Sequence, residues 1–309
     1  MHAKMYRLGI MFTLTILLSF VTMLVVLSHP SVGTASEVGT DGLPLFSFDR
    51  SAVPQSVMED ASELAERLLG NSQDKADKFV SQLLAMYSEA KDKDFVIVFS
   101  PGGWGRDLLE NSPDWESIFA GIKSELESFG YRLLSLEYKR TEESRRGRLQ
   151  EAAEDLNLYH GKARYLASSI EFLTKHIPHL RIILAGESTG TITCDEVMAI
   201  LGDNPQVYSV ETGPPFWHRS ATSRRALVLT SNGILPDSFS RGDLITIISA
   251  NLKALFGLSQ PAGDNGTILR CIRAPGHEYR WEQAAVYAKI TSFLKQNFGM
   301  DHDKIGKWS

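Results

Sequence analysis

A chain of 309 residues is long enough to bury a self-sufficient core, so its size calls for neither a structural metal nor a disulfide framework. The formal net charge of -5, with 22% charged residues, offers no basic surface and excludes nucleic acid as a partner class. Only two cysteines occur, Cys194 and Cys271, each inside a regular stretch, and they read as buried free thiols.

In chain order, the first element is LGIMFTLTILLSFVTMLVVLS at residues 8 to 28, uncharged and preceded by Lys4 and Arg7. About 20 apolar residues span a bilayer core, so residues 1–30 are expected to form a single-pass transmembrane anchor. The positive-inside bias keeps Lys4 and Arg7 cytoplasmic and places the rest of the chain on the exported side. The alternative is secretion after signal cleavage, with Gly33, Ala35 and Ser36 as small residues for a signal peptidase. Residues 31–55, scattered with Pro, Gly, Ser and Thr, read as a spacer. Residues 56–92 carry apolar stripes at helical spacing on either side of Gly70, Asn71 and Ser72 and predict a helical hairpin.

From residue 93 to about 300 the texture becomes strand, helix, strand. FVIVFS (95–100) predicts a buried strand and is followed by SPGGWG. A helix begins at Ser112-Pro113 and stops at Gly130. YRLLSLEY (131–138) is the next strand, and after a charged loop a helix runs to Pro178. RIILAG leads into Gly-Glu-Ser-Thr-Gly. VYSVE (207–211), ALVLT (226–230), a helix from Leu244, TILRCI (267–272) and a final helix from about Trp281 to Phe298 follow, and 301–309 is a polar tail. Such alternation predicts an α/β fold: a mostly parallel sheet covered by helices on both faces. The membrane segment and helical hairpin precede it.

The pentapeptide at 186–190 is weak alone, since G-x-S-x-G arises by chance in roughly one chain in ten of this length. Its context strengthens it. A buried strand precedes Ser188 and a helix follows, the setting of a nucleophile elbow in which flanking glycines let a serine hydroxyl stand clear of the sheet. A serine needs a base, and of eight histidines His277 is best placed, in a Pro-Gly loop past the last predicted strand. His218 in PPFWHRS is the lesser candidate. The acid that orients the base is read as Asp237, with Glu211 at the end of VYSVE and Asp243 as alternatives. Asp243 is also explained as the N-cap of the helix from Leu244. Donors for a developing oxyanion are the Thr189 amide and a second amide from SPGGWG, at Gly103 or Trp104. Neither a phosphate-cradling loop nor a zinc motif occurs, so no cofactor and no metal is expected. The interleaved charges of KRTEESRRGR (139–148) read as a solvated loop, and Phe216 and Trp217 as lining for an apolar pocket.

Gly-Glu-Ser-Thr-Gly, then Asp237, then Pro-Gly-His277, with a Gly-Gly loop upstream, resembles the α/β-hydrolase superfamily over residues 93–298. The resemblance implies a Ser188–His277–Asp237 triad and an acyl-enzyme mechanism. The expectation is thus a membrane-anchored serine hydrolase of a carboxylic ester or thioester, with a small-molecule or lipid-like acyl substrate. The rival readings are an acyltransferase using the same triad, or a non-catalytic scaffold. Two features depart from the family: residues 55–92 read as helical where the family has a first strand hairpin, and a helix is inserted between Asp237 and His277.

Overall fold

The computed structural model of the protein describes residues 47–70, 72–103, 105, 109–140, 160–220, 223–258, 266–268 and 272–299. The apolar segment at residues 8–28, Trp104, Cys271, most of the 139–148 loop and the 301–309 tail lie outside the described residues. No helix among those described is long and apolar enough to cross a membrane.

Two helices open the described chain, α1 (Gln55–Leu69) and α2 (Gln73–Ala90), packed on each other on either side of Gly70. Their buried residues, Val57, Ala61, Leu64 and Ala65 on α1 and Phe79, Leu83 and Met86 on α2, recur every three or four positions, so each helix turns one stripe inward. The alternating part follows: β1 (Phe95–Ser100), α3 (Pro113–Ser128), β2 (Leu133–Glu137), α4 (His160–His176), β3 (Arg181–Glu187), α5 (Gly190–Leu201), β4 (Val207–Thr212) and β5 (Ala226–Leu229). These five strands form one all-parallel sheet in the order β2-β1-β3-β4-β5. Next come α6 (Leu244–Leu255), β6 (Thr267–Ile268), β7 (Ile272–Arg273) and α7 (Ala284–Phe298).

Strand alternation divides the core in two. Val96, Val98, Ile182, Leu184 and Val207 face one layer with α1, α2, α4 and α5. Phe95, Ile97, Phe99, Ile183, Ala185 and Val210 face the other with α3 and α7. Burying each such Val, Leu, Ile or Phe stabilises the fold by about 1.5–3 kcal/mol, and β1 and β3, flanked on both edges, carry the densest share.

One expected element is corrected. TILRCI does not extend the parallel sheet: β6 and β7 pair antiparallel with each other, apart from the five strands. The backbone of Arg273 is satisfied by a side chain instead. Asn251 of α6 accepts from the Arg273 N–H at 2.9 Å and donates to its carbonyl at 2.8 Å, replacing the ladder that a neighbouring strand would supply. The final helix also starts later than expected, at Ala284, because a turn comes first, with the Gln283 N–H donating to the Arg280 carbonyl at 3.2 Å.

Candidate active site

All five parallel strands end at one edge, and the register sets Ser100 of β1 opposite Gly186 of β3, with Glu187 opposite Thr212 of β4. Residues placed just past these ends converge. Ser188 follows β3 directly and has φ 49°, the one non-glycine residue with positive φ among those described. That left-handed backbone costs about 1–2 kcal/mol. It persists because the elbow is held on both sides: the Ser188 N–H donates to the Thr212 carbonyl at 2.9 Å and the Ser188 carbonyl accepts from the Thr191 N–H at 3.0 Å. Close packing explains Gly190, where a Cβ would stand 2.1 Å from the Ser100 carbonyl oxygen.

The hydroxyl this strain presents meets a histidine. Ser188 Oγ lies 3.1 Å from His277 Nε2, and His277 Nδ1 lies 2.9 Å from Asp237 Oδ2. In a network with the imidazole neutral, Nδ1–H donates to the carboxylate and Nε2 accepts from the serine.

Asp237 is fully buried, yet every acceptor position is used. Oδ1 accepts from the Phe239 and Ser240 N–H groups, and Oδ2 accepts from the Ser240 and Tyr279 hydroxyls as well as from His277. Burial alone would raise its pKa, but His277, the Ser240 backbone and the Tyr279 hydroxyl outweigh it and hold the carboxyl below its ordinary range. Tyr279 is pushed the opposite way, by burial and by the Asp237 charge, and stays a phenol that donates. The two loops are joined directly: the Ser238 N–H donates to the Pro275 carbonyl at 3.0 Å, and Asn232 Nδ2 donates to the Glu278 carbonyl at 2.9 Å. Gly213, at the end of β4, completes the cavity for the imidazole, since a Cβ there would lie 2.5 Å from His277 Cε1.

The alternative acids stand elsewhere. Asp243 caps α6, accepting from the Thr246 N–H at 3.0 Å and from its hydroxyl at 2.7 Å. Glu211 is fully buried in β4, pairs in register with Gly186, and neither of its oxygens has a hydrogen-bond partner. Burial, and then the nearby Asp195 charge, push its pKa well above the usual carboxylate value. Neither Glu211 oxygen meets the His277 ring, whose Nδ1 is taken by Asp237. His218 is likewise engaged away from the serine, with Nε2 2.7 Å from Asp195 Oδ2.

A second set of contacts locks the SPGGWG loop to the elbow. Glu187 Oε2 accepts from the Gly102 N–H at 3.1 Å, and the Thr189 hydroxyl donates to the Gly103 carbonyl at 2.9 Å. Arg140, only 4% exposed, donates to the Thr189 and Ser100 hydroxyls, and its own N–H donates to the Gly105 carbonyl. Arg140 therefore departs from the solvated loop expected for 139–148. Its hydrogen bonds make it a buried strut. Gly102 has its amide occupied by Glu187, whereas no backbone hydrogen bond among the described residues engages the Gly103 or Thr189 N–H.

Sequence reasoning missed Tyr279, Ser240, Arg140 and the role of Glu187. Tyr279 and Ser240 sit two and three residues from His277 and Asp237, so proximity was their one signal. Arg140 carried none, being hidden in a run of charges.

A parallel sheet, a strained serine between β3 and α5, and a serine–histidine–carboxylate chain drawn from the segments after β3, β5 and β7 make up the candidate site. No protein-family model matches the sequence, and no curated protein matches it. Among solved structures it is similar to Trichoderma reesei cutinase in complex with a C11Y4 phosphonate inhibitor, at 13% identity and a TM-score of 0.42, covering 80% of this chain and 93% of that one.

Proposed function

We propose that the protein is a membrane-anchored serine hydrolase that cleaves a carboxylic ester or thioester through an acyl-enzyme on Ser188. The observation that carries this reading is the unbroken chain Ser188 Oγ to His277 Nε2 at 3.1 Å and His277 Nδ1 to Asp237 Oδ2 at 2.9 Å. As Ser188 Oγ bonds to the substrate carbonyl carbon, its proton passes to His277 Nε2 and the carbonyl π electrons move onto oxygen. The Thr189 amide and an amide of the 103–104 loop receive that oxyanion. Asp237 holds the ring and stabilises its cationic form. Collapse of the tetrahedral intermediate breaks the bond to the leaving oxygen or sulfur, which takes the proton from His277. Water, deprotonated by the same nitrogen, then releases the acid and restores Ser188.

Membrane anchoring is supported by the uncharged stretch at residues 8 to 28 behind Lys4 and Arg7, with the catalytic domain on the exported side. A fluorophosphonate probe tests the catalytic reading: it labels the folded wild-type chain at Ser188 and leaves Ser188→Ala unlabelled. Folded wild-type protein that resists the probe overturns the proposal.

A further inference from the structure

Helix α6 is turned inside out. It buries Ile247 and Ala250 against the small cluster of Phe239 and Ala274, while Ile245 is 82% exposed, Leu255 77%, and Phe256 and Leu258 beyond the helix 71% each. Positions 245, 248, 252 and 255 fall at helical spacing, so these apolar side chains share one outward face. Ile245, Ile248 and Leu252, with Ser249, Lys253, Phe256 and Leu258, line an open groove of about 390 Å³. An ordinary surface helix shows charge to water. From Leu244 to Leu258 this one has a single charged residue, Lys253, at the groove, and no carboxylate, in a chain whose net charge is -5.

The apolar surface runs into the candidate active site. α6 begins straight after the loop that carries Asp237, and Phe239 of that loop meets the His277 ring edge-on at 5.0 Å between centroids. Phe216 and Trp217, each about half exposed, pack on Phe239 at 6.4 and 5.4 Å. A Cβ on Gly242, at the foot of α6, would stand 3.1 Å from the Phe216 ring.

We infer that the outward face of α6 docks on the surface of the lipid bilayer that the N-terminal segment enters, so that Phe216 and Trp217 receive acyl chains directly from lipid. Three observations select a bilayer over a second copy of the chain. A lone lysine with no carboxylate complements anionic headgroups. The same chain carries at residues 8–28 an uncharged stretch long enough to enter a membrane, and only a short length of sequence separates it from α1. A second copy seated on this face would cover the aromatic approach to His277, whereas lipid supplies what enters there. The inference rests on the proposed membrane attachment and not on turnover.

The test uses the full chain in vesicles of phosphatidylcholine and phosphatidylglycerol, with an environment-sensitive fluorophore on Leu255→Cys or Ile245→Cys in a Cys271→Ser background; Cys194 is buried and stays unlabelled. Both labelled positions are exposed, so the substitutions leave the core intact. Spin-labelled lipid is expected to quench these probes at least two-fold while leaving a probe on Glu63→Cys of α1 unchanged, and aqueous iodide is expected to do the reverse. A chain that floats with the vesicles but whose α6 probes answer only to iodide overturns this inference alone. Probes shielded from both quenchers mean a protein covers the face, which also overturns it. A chain that does not float overturns the attachment and the inference together, and Ser188 labelling in the same sample reports separately on the catalytic reading.

Discussion

Replacing Glu211 by Gln separates a buried acid from a catalytic one. In the native state its carboxyl has no hydrogen-bond partner and no exposure, and burial with the Asp195 charge beside it raises its pKa well above the ordinary 4.5. In the unfolded chain the same carboxyl ionises near that ordinary value. Its contribution to stability is therefore fully present below pH 4.5 and is lost as pH rises toward the folded pKa, because the unfolded state releases a proton that the folded state keeps. Across that window the cost is about 1.4 kcal/mol per pH unit. Gln has nearly the same shape and cannot titrate, so its own unsatisfied amide imposes a cost of about 1–3 kcal/mol that does not vary with pH. The variant therefore gains on the wild type by about 1.4 kcal/mol for each pH unit above 5 over which the folded carboxyl keeps its proton, whichever is the more stable at pH 5. Urea midpoints of both proteins at pH 5, 6 and 7 measure this. Parallel pH dependences would refute the reasoning, since they would mean that Glu211 ionises in the folded state. Esterase activity is expected to survive the substitution; its loss in a folded variant would return Glu211 to the triad.

Two further outcomes follow from the site. Asp237→Asn leaves Ser188 and His277 in place but favours the wrong imidazole tautomer, so kcat on a soluble ester should fall by roughly 10³ to 10⁴-fold with KM little changed; a fall under ten-fold argues against Asp237 as the orienting acid. Arg140→Lys keeps the charge but cannot reach the Thr189 and Ser100 hydroxyls together, so kcat should drop about ten-fold at unchanged urea midpoint slope, and an unaltered kcat would show that the strut does not position the oxyanion donors.

What the sequence made legible follows from how local each signal is. The alternating strands and helices were readable because burial on both sheet faces writes itself as continuous apolar runs, as in FVIVFS and RIILAG. The elbow was readable because two glycines must flank Ser188 within five residues. TILRCI misled for the same reason: its apolar run looks like a sheet strand, and only Asn251, some twenty residues earlier, satisfies the Arg273 backbone in place of a neighbouring strand. The choice of acid was open because Asp237 and Asp243 lie in one loop. Three-dimensional contact separates them, one carboxylate meeting His277 Nδ1 and the other the Thr246 N–H. Arg140 was invisible because its burial depends on the Ser100 and Thr189 loops closing over it.

The strain at Ser188 and the struts around it are parts of one arrangement. A backbone at φ 49° relaxes unless its neighbours forbid it. Ser188 is tied to β4 through Thr212, while the residues on either side of it, Glu187 and Thr189, tie the elbow to the β1 loop at Gly102 and Gly103. The same bonds that keep the serine raised therefore keep the Gly103 and Thr189 amides at a fixed distance from it. On the proposed reading, with the Gly102 amide taken by Glu187, the second donor would be the amide of Gly103 or Trp104. On that reading, a carbonyl attacked by Ser188 would meet donors whose loops these bonds already hold, so that their ordering would be spent in folding rather than at the barrier.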